Sequence, residues 1–198
     1  MSTKDRILEA ALRLFNAHGI DVITIRHIAK DLEISHSNIQ YYFKNADEII
    51  AALYQNHLAI LNATTAAVVP DEQNTIEGLH NSIAGILRQI YNYRFIYVHY
   101  VVITRRMPAI KVSYQARFVI RRTILLNIFA NFREQGIFRN DIPEHIWECL
   151  IKNIYLLGDF WISANELTTG LTGEPAIQTY AKQISSLFYP YLTTKGIK

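Results

Sequence analysis

His36-Ser37-Asn38-Ile39-Gln40-Tyr41-Tyr42 holds one strongly apolar residue among six that carry hydrogen-bonding groups. Ser35, a residue type that caps helix starts, precedes it, and Phe43 follows. The stretch reads as a short helix anchored at Ile39 with its other side chains facing outward. Two helices come before it. Ser2 and Asp5 have the spacing of a capping box, and Ile7, Leu8, Ala11, Leu14 and Phe15 recur at three and four to give one buried stripe. Gly19 stops that helix, because glycine tolerates the conformation needed at a helix end. Thr24 caps a second helix running through Ile25, Ile28 and Ala29 to Leu32, and Asn45 with Glu48 marks the start of a fourth. Ile25, Ile28, Leu32, Ile34, Ile39 and Phe43 then form a miniature core with the first helix. Three short helices, a tight turn between the second and third, and a polar third helix are the layout of a helix-turn-helix DNA reader.

Composition bounds the rest. The chain has 198 residues, half of them hydrophobic, which suffices for one small domain fused to a larger one. Five prolines, eight glycines and no long run of strand alternation point to an all-α fold. A single cysteine, Cys149, excludes an internal disulfide and suits a reducing compartment. The polar, then amphipathic N-terminus does not read as a secretory signal. The most apolar run, Phe95 to Ile103, is far shorter than the roughly 20 residues a bilayer-spanning helix needs. The expected location is the cytoplasm, with no membrane partner.

Charge is distributed unevenly. The formal net charge is +3. Within Met1 to Asp47 the bases Lys4, Arg6, Arg13, Arg26, Lys30 and Lys44 are matched by Asp5, Glu9, Asp21, Asp31, Glu33 and Asp47, so any positive face there must come from arrangement. From Gly78 through Arg133 there is no Asp or Glu, while arginines and aromatics alternate densely. Helices in this stretch should break near Tyr93-Arg94 and at Met107-Pro108, with Pro108 opening a long helix that ends at Gly136. One reading has the aromatics in the core and the arginines snorkelling outward. The other is a ligand pocket of aromatics with an arginine for an anionic group; its candidates are Arg88, Tyr97, Tyr100, Arg105, Arg106 and Arg117.

Two more helices should follow, one from near Pro143 and one from near Pro175 to a stop at Pro190. Their apolar stripes are Ile146, Leu150, Ile154, Gly158 and Trp161, and Ile177, Ile184, Leu187 and Phe188. Such a pair can close its own domain's core or pair with its copy as a four-helix interface. Enzyme chemistry finds little support. Glu77-x-x-His80 has di-iron ligand spacing without a second pair, and His145 and Cys149 sit one turn apart with nothing to complete a metal site. No phosphate-cradling glycine loop and no nucleophile elbow is present. The sequence therefore predicts no catalytic residues, no metal and no cofactor. A helical protein-interaction module or a helical-bundle metalloenzyme are the alternatives to DNA binding.

The N-terminal segment resembles the DNA-binding domain of the TetR/AcrR family of bacterial transcriptional regulators. The matching residues are Ala10-Ala11-Leu12-Arg13-Leu14-Phe15 with Gly19, then Thr24 with Ile28-Ala29, Ile34-Ser35, Ile39 and Tyr41-Tyr42-Phe43. The chain departs from the family pattern at Glu33, where the turn usually has glycine, at Gln40, usually tyrosine, and at Ala46, usually a phosphate-contacting lysine. The resemblance implies a homodimer whose C-terminal helical domain holds an effector pocket. It divides the chain into a DNA-binding domain over 1–47 and an effector-binding and dimerisation domain over 48–198. It also favours the dimer interface as the role of the two C-terminal stripes. The expected function is a ligand-responsive repressor of a palindromic operator in double-stranded DNA, with an effector that is anionic or aromatic. Thr24, Ser35 and Lys44 are the candidates for phosphate contacts, with Tyr41 and Tyr42 adding hydroxyl bonds to the backbone. Arg26 suits a phosphate or a base, Ser37, Asn38 and Gln40 suit base edges, and His36 sits on the rim.

Overall fold

Ser2 opens α1 (Thr3–His18) with a reciprocal cap: its hydroxyl accepts from the Asp5 amide at 3.2 Å, and the Asp5 carboxylate accepts from the Ser2 amide at 3.0 Å. The computed structural model describes residues 1–66 and 76–197. Gly19 ends α1 at φ +80°, where a Cβ would also lie 3.1 Å from the His99 ring. α2 (Ile25–Asp31) and α3 (His36–Tyr42) follow. Between them Glu33 takes φ +55°, the only non-glycine residue with positive φ among those described. The glycine that the family pattern carries here thus has a physical reason, and this chain holds a side chain in the left-handed region instead. α4 (Ala46–Ala66) starts as expected, with Asn45 Oδ1 accepting from the Glu48 amide at 3.0 Å.

The larger part comprises α5 (Ile76–Asn92), α6 (Arg94–Val98), α7 (Tyr100–Arg106), α8 (Pro108–Glu134), α9 (Glu144–Leu167) and α10 (Gly173–Ser186), followed by a 3-10 turn and the short α11 (Thr194–Ile197). The fold is all-α, and the described residues contain one isolated antiparallel bridge, Phe138 to Leu192, in place of any sheet. The breaks at Tyr93-Arg94 and Met107-Pro108 fall where proline and the aromatic run predict them. The break at His99, which separates α6 from α7, had no proline or glycine to signal it.

Two apolar clusters hold the molecule. The first is continuous from Ile7, Phe15 and Ile39 through Ile49 and Leu53 to Phe95, Trp161 and Ile184. The second, around Phe129, Phe138, Trp147 and Phe188, closes the C-terminal end with rings 5.3–6.0 Å apart.

Burial places part of the expected interface between copies inside a single chain. Leu150, Trp161, Ile177, Ile184 and Phe188 are each 3% exposed or less, inside the chain's own core. Ile154 and Leu187 pack against that core, Ile146 is half-buried, and Gly158 lines an internal cavity. The apolar stripe of each helix is the one its own neighbours cover. α10 lies along α5, so the stripe is satisfied within a single copy. The face of α9 left exposed carries Leu156, Phe160 and Leu167.

Replacing Glu33 with glycine relieves a left-handed side chain worth about 1–2 kcal/mol and loses part of that to the freer unfolded chain. Urea denaturation should show Glu33→Gly more stable by about 1 kcal/mol and Glu33→Ala unchanged or less stable. Equal stability of the glycine and alanine variants would refute the strain at this turn.

Candidate nucleic-acid interface and ligand cavity

The outward face of α3 is built by one buried contact. Ile39 is completely buried, and the helix is short enough that Ser37, Asn38, Gln40, Tyr41 and Tyr42 all remain exposed. Tyr41 is 83% exposed and meets the Tyr42 ring edge-on at 5.0 Å. Ser35 caps α3, accepting from the Asn38 amide at 3.2 Å, and its hydroxyl lies 3.0 Å from that of Ser37. Thr24 pairs with His27, whose Nδ1 accepts from the Thr24 amide at 3.2 Å. Thr24, Arg26, His36 and Lys44 come together around one shallow depression with His27 and Asn45. The ten candidate DNA contacts are thus exposed or half-buried at the start of α2 (Thr24, Arg26), along α3 with its Ser35 cap, and at Lys44 before α4. Glu33 is exposed as well, and Ala46 offers no charge, so Lys44 is the cation nearest the start of α4 in sequence.

Behind this face the two parts of the chain are joined by specific contacts. The Asn16 side chain donates to the Asn92 carbonyl at 2.8 Å and accepts from the Phe95 amide at 3.0 Å. The Phe15 and Phe95 rings pack 5.2 Å apart. Arg106, at the end of α7, pairs with Asp47 at the start of α4 and lies 3.5 Å from Asp21 in the loop before α2.

Most of the acid-free arginine stretch is neutralised by carboxylates from outside it. Arg88 pairs with Glu174 at 2.5 Å, Arg122 with Glu148, Arg133 with Glu144 at 3.8 Å and Arg121 with Asp159 at 3.5 Å. Arg88, Arg105 and Arg106 do not line the cavity described next; Arg88 and Arg106 are held in surface ion pairs and Arg105 is exposed. Tyr100 packs edge-on to Tyr114 at 5.0 Å and tilted to Tyr97 at 5.5 Å, without reaching the cavity wall. Tyr97 and Arg117, from the same set of candidates, do line it.

The cavity has a volume of about 140 Å³ and lies among α4, α5, α6, α8, α9 and α10. Its walls are mostly leucine and isoleucine, with one polar patch made of Arg117, Arg121, Tyr97, Tyr155 and Asp159. Asp159 is 3% exposed; Tyr114 donates to it at 2.7 Å and Arg121 reaches its other oxygen. Arg121 also stacks on the Tyr155 ring at 4.4 Å. Burial works against the Arg121 charge, but Asp159 together with the Tyr155 and Tyr97 hydroxyls holds the guanidinium above its ordinary value. Burial, seconded by the Asp159 charge, pushes the Tyr114 hydroxyl up, and burial does the same to Tyr97 and Tyr155. Neither Arg121 nor Asp159 is among the cavity candidates drawn from the sequence. Asp159 sits within an apolar helix, and its isolation there was the available signal.

Beside the cavity His57 is 1% exposed, stacked on Tyr93 at 4.6 Å, with Nε2 2.8 Å from the Tyr97 hydroxyl. Burial, helped by the Arg117 charge, pushes its imidazole down to about 3. The unfolded chain therefore binds a proton at His57 that the folded chain refuses. Its stabilising contribution is complete above about pH 6.5 and falls by roughly 1.4 kcal/mol per pH unit as the pH drops towards 3. Chemical denaturation across this range should show a shallower acid slope for His57→Phe, together with a loss at neutral pH from the abandoned Tyr97 hydroxyl. Identical slopes for the two proteins would rule out a neutral buried imidazole.

Metal chemistry has no site among the described residues, where no three His, Cys, Asp or Glu side chains cluster. His80 is hydrogen-bonded to Ser185 and Gln178, and Cys149 is exposed. No helix among the described residues is long and apolar enough to cross a membrane.

Comparison with known proteins agrees with this geometry. Residues 7–53 match the family model described as bacterial regulatory proteins, tetR family, and residues 44–198 match the TetR model described as a bacterial transcriptional repressor. Over 98 residues the chain is 34% identical to YttP of Bacillus subtilis, described as a probable HTH-type transcriptional regulator. That match takes in 48% of this chain and 46% of the relative, so the chain spans about half the length of the curated relatives it matches. A crystal structure of a TetR-family transcriptional regulator from Marinobacter aquaeolei superposes with a TM-score of 0.87 at 25% identity, covering 98% of this chain and 93% of that one. The ketosteroid transcriptional regulator KstR2 of Mycobacterium tuberculosis shares the fold with a TM-score of 0.70 at 20% identity, over 97% and 96% of the two chains.

Proposed function

Because the chain belongs to the TetR family of bacterial transcriptional regulators, we propose that it is a cytoplasmic, ligand-responsive repressor that holds a palindromic operator as a homodimer and releases it when a small molecule enters the cavity. The observation that carries this reading is the α3 face, polar and open on the outside and fixed by a fully buried Ile39 on the inside. A helix so presented fits the major groove, and a twofold-related copy reads the next half-site about 34 Å away.

Within this reading Thr24, Ser35, Lys44, Tyr41 and Tyr42 contact the phosphate backbone and set the register. Ser37, Asn38 and Gln40 meet base edges, with Arg26 on a phosphate or a base and His36 at the rim. Gln40 is suited to adenine, to which an amide side chain forms two hydrogen bonds. The division of labour runs over 1–47 for DNA and 48–198 for effector and partner. The dimer face is the outer side of α9, where Leu156, Phe160 and Leu167 stand open at 63%, 38% and 87%. Release works as a population shift. Effector in the cavity favours an arrangement in which the two α3 helices no longer match successive grooves.

Selection of bound fragments from genomic DNA by the purified protein tests the core of this reading; it should return paired half-sites. Binding should weaken steeply with salt, as phosphate neutralisation demands, whereas an apolar protein contact would change little. On a recovered operator, Gln40→Ala should cost about 1–3 kcal/mol at one base pair and little elsewhere. A uniform loss across all sequences would remove Gln40 from base readout. Phe160→Arg should convert the dimer to a monomer by light scattering while leaving the thermal midpoint of the protomer nearly unchanged. A dimer that survives this substitution places the interface elsewhere.

A further inference from the structure

The polar patch of the cavity is unbalanced. Arg121 is paired with Asp159, but its buried Nε has no partner among the described residues, and the same holds for the Tyr155 hydroxyl. Arg117 shares only a 3.3 Å bond with the uncharged Asn62 side chain, and no ion pair to it is present among the described residues. One positive charge and two unsatisfied hydrogen-bonding groups, both able to donate, thus belong to residues that line the same cavity, and the two buried groups cost free energy unless something accepts from them. His57 adds no charge near neutral pH. The remaining walls, Leu79, Ile83, Leu87, Ile124, Ile128 and Phe188 among them, are apolar apart from Thr65 and Ser82, whose hydroxyls donate to the Leu61 and Gly78 carbonyls of their own helices.

We propose that the effector is a small hydrophobic monocarboxylate, whose carboxylate sits against Arg117, the Arg121 Nε and the Tyr155 hydroxyl while its hydrocarbon body fills the apolar part of the cavity. This rests on the effector reading above and narrows it. A single negative charge balances the guanidinium of Arg117, which has no carboxylate partner among the described residues, and two carboxylate oxygens supply acceptors for the Arg121 Nε and the Tyr155 hydroxyl. A cation would add to the charge already present, since Asp159 is engaged by Arg121 and Tyr114. A neutral alcohol leaves the Arg117 charge without a counterion. The volume of about 140 Å³ resembles that of cavities that accept one benzene-sized apolar group, so the body is small.

The test uses the full chain with octanoate, octan-1-ol and octyltrimethylammonium, read by thermal midpoint and by titration calorimetry. Octanoate should raise the midpoint in a saturable way and bind at least about tenfold more tightly than the alcohol, with no binding by the cation. Arg117→Met should erase the preference for octanoate over octan-1-ol, and Arg117→Lys should restore part of it. Tighter binding of the alcohol or the cation, or an unchanged preference in Arg117→Met, overturns the monocarboxylate assignment and leaves the effector reading standing. Octanoate that binds as described but leaves operator affinity unchanged overturns the effector reading and keeps the ligand chemistry. Failure of all three probes to bind overturns both.

Discussion

Everything in this structure depends on the contact between the three N-terminal helices and α6. A unit of fewer than fifty residues buries too little apolar surface to be stable by itself without reinforcement. Here the reinforcement is a shared core: Phe15 of α1 lies against Phe95 of α6, and Ile49 and Leu53 of α4 extend the same cluster. Asn16 fixes the register of that contact, because its amide satisfies the Asn92 carbonyl and the Phe95 amide at once. These are backbone groups at a helix break, where no intrahelical partner is available. The orientation of α3 is therefore set by the larger part of the molecule, not by the short helices alone.

The buried charges at the cavity point to a site and not to a device for stability. Replacing a buried ion pair by apolar residues is often neutral or stabilising, and the Asp159–Arg121 pair carries an orphaned Nε besides. A core designed only for packing would have leucine at both positions. The Arg88–Glu174 and Arg106–Asp47 pairs differ, since they lie at the surface, where such pairs contribute little to stability. The arginines that attract attention by number in the sequence thus divide into two populations. The distinction is whether the carboxylate each one meets across the fold lies inside the molecule or at its surface, and that is a long-range property.

Local chemistry made much of the fold legible in the sequence. Ser2, Ser35 and Asn45 cap α1, α3 and α4 as their residue types require, and Pro108 opens α8. The exposed face of α3 was readable because a seven-residue helix with one apolar anchor has no other way to turn. What covers the C-terminal pair is not legible in sequence, for an equally physical reason. Periodicity identifies the apolar stripe of a helix but not whose surface covers it. Leu150, Trp161 and Ile184 are covered by their own chain, while the open residues Leu156 and Phe160 sit on the stripe's flank, where they read as ordinary scatter. Asp159 and Arg121 went unnoticed because 38 residues separate them, and only packing brings them together.

The position of α6 explains how a small cavity can matter to a distant helix. It is five residues long and bounded by irregular backbone at Tyr93 and His99. One of its residues, Tyr97, lines the cavity, and another, Phe95, holds Asn16 and Phe15 of α1. A segment this short has no interior turn to absorb a push, and the close-packed core around it transmits displacement more readily than it compresses. A ligand that moves Tyr97 must then move Phe95, and with it α1. The same displacement reaches α4 by a second route, since α7 follows α6 directly and ends in Arg106 on Asp47. In the proposed repressor, these attachments on either side of α3 would turn a translation of α6 into a rotation of α3. A change in angle of this kind, multiplied by the distance to the groove, would alter the fit of the proposed two copies to one duplex while leaving each copy folded.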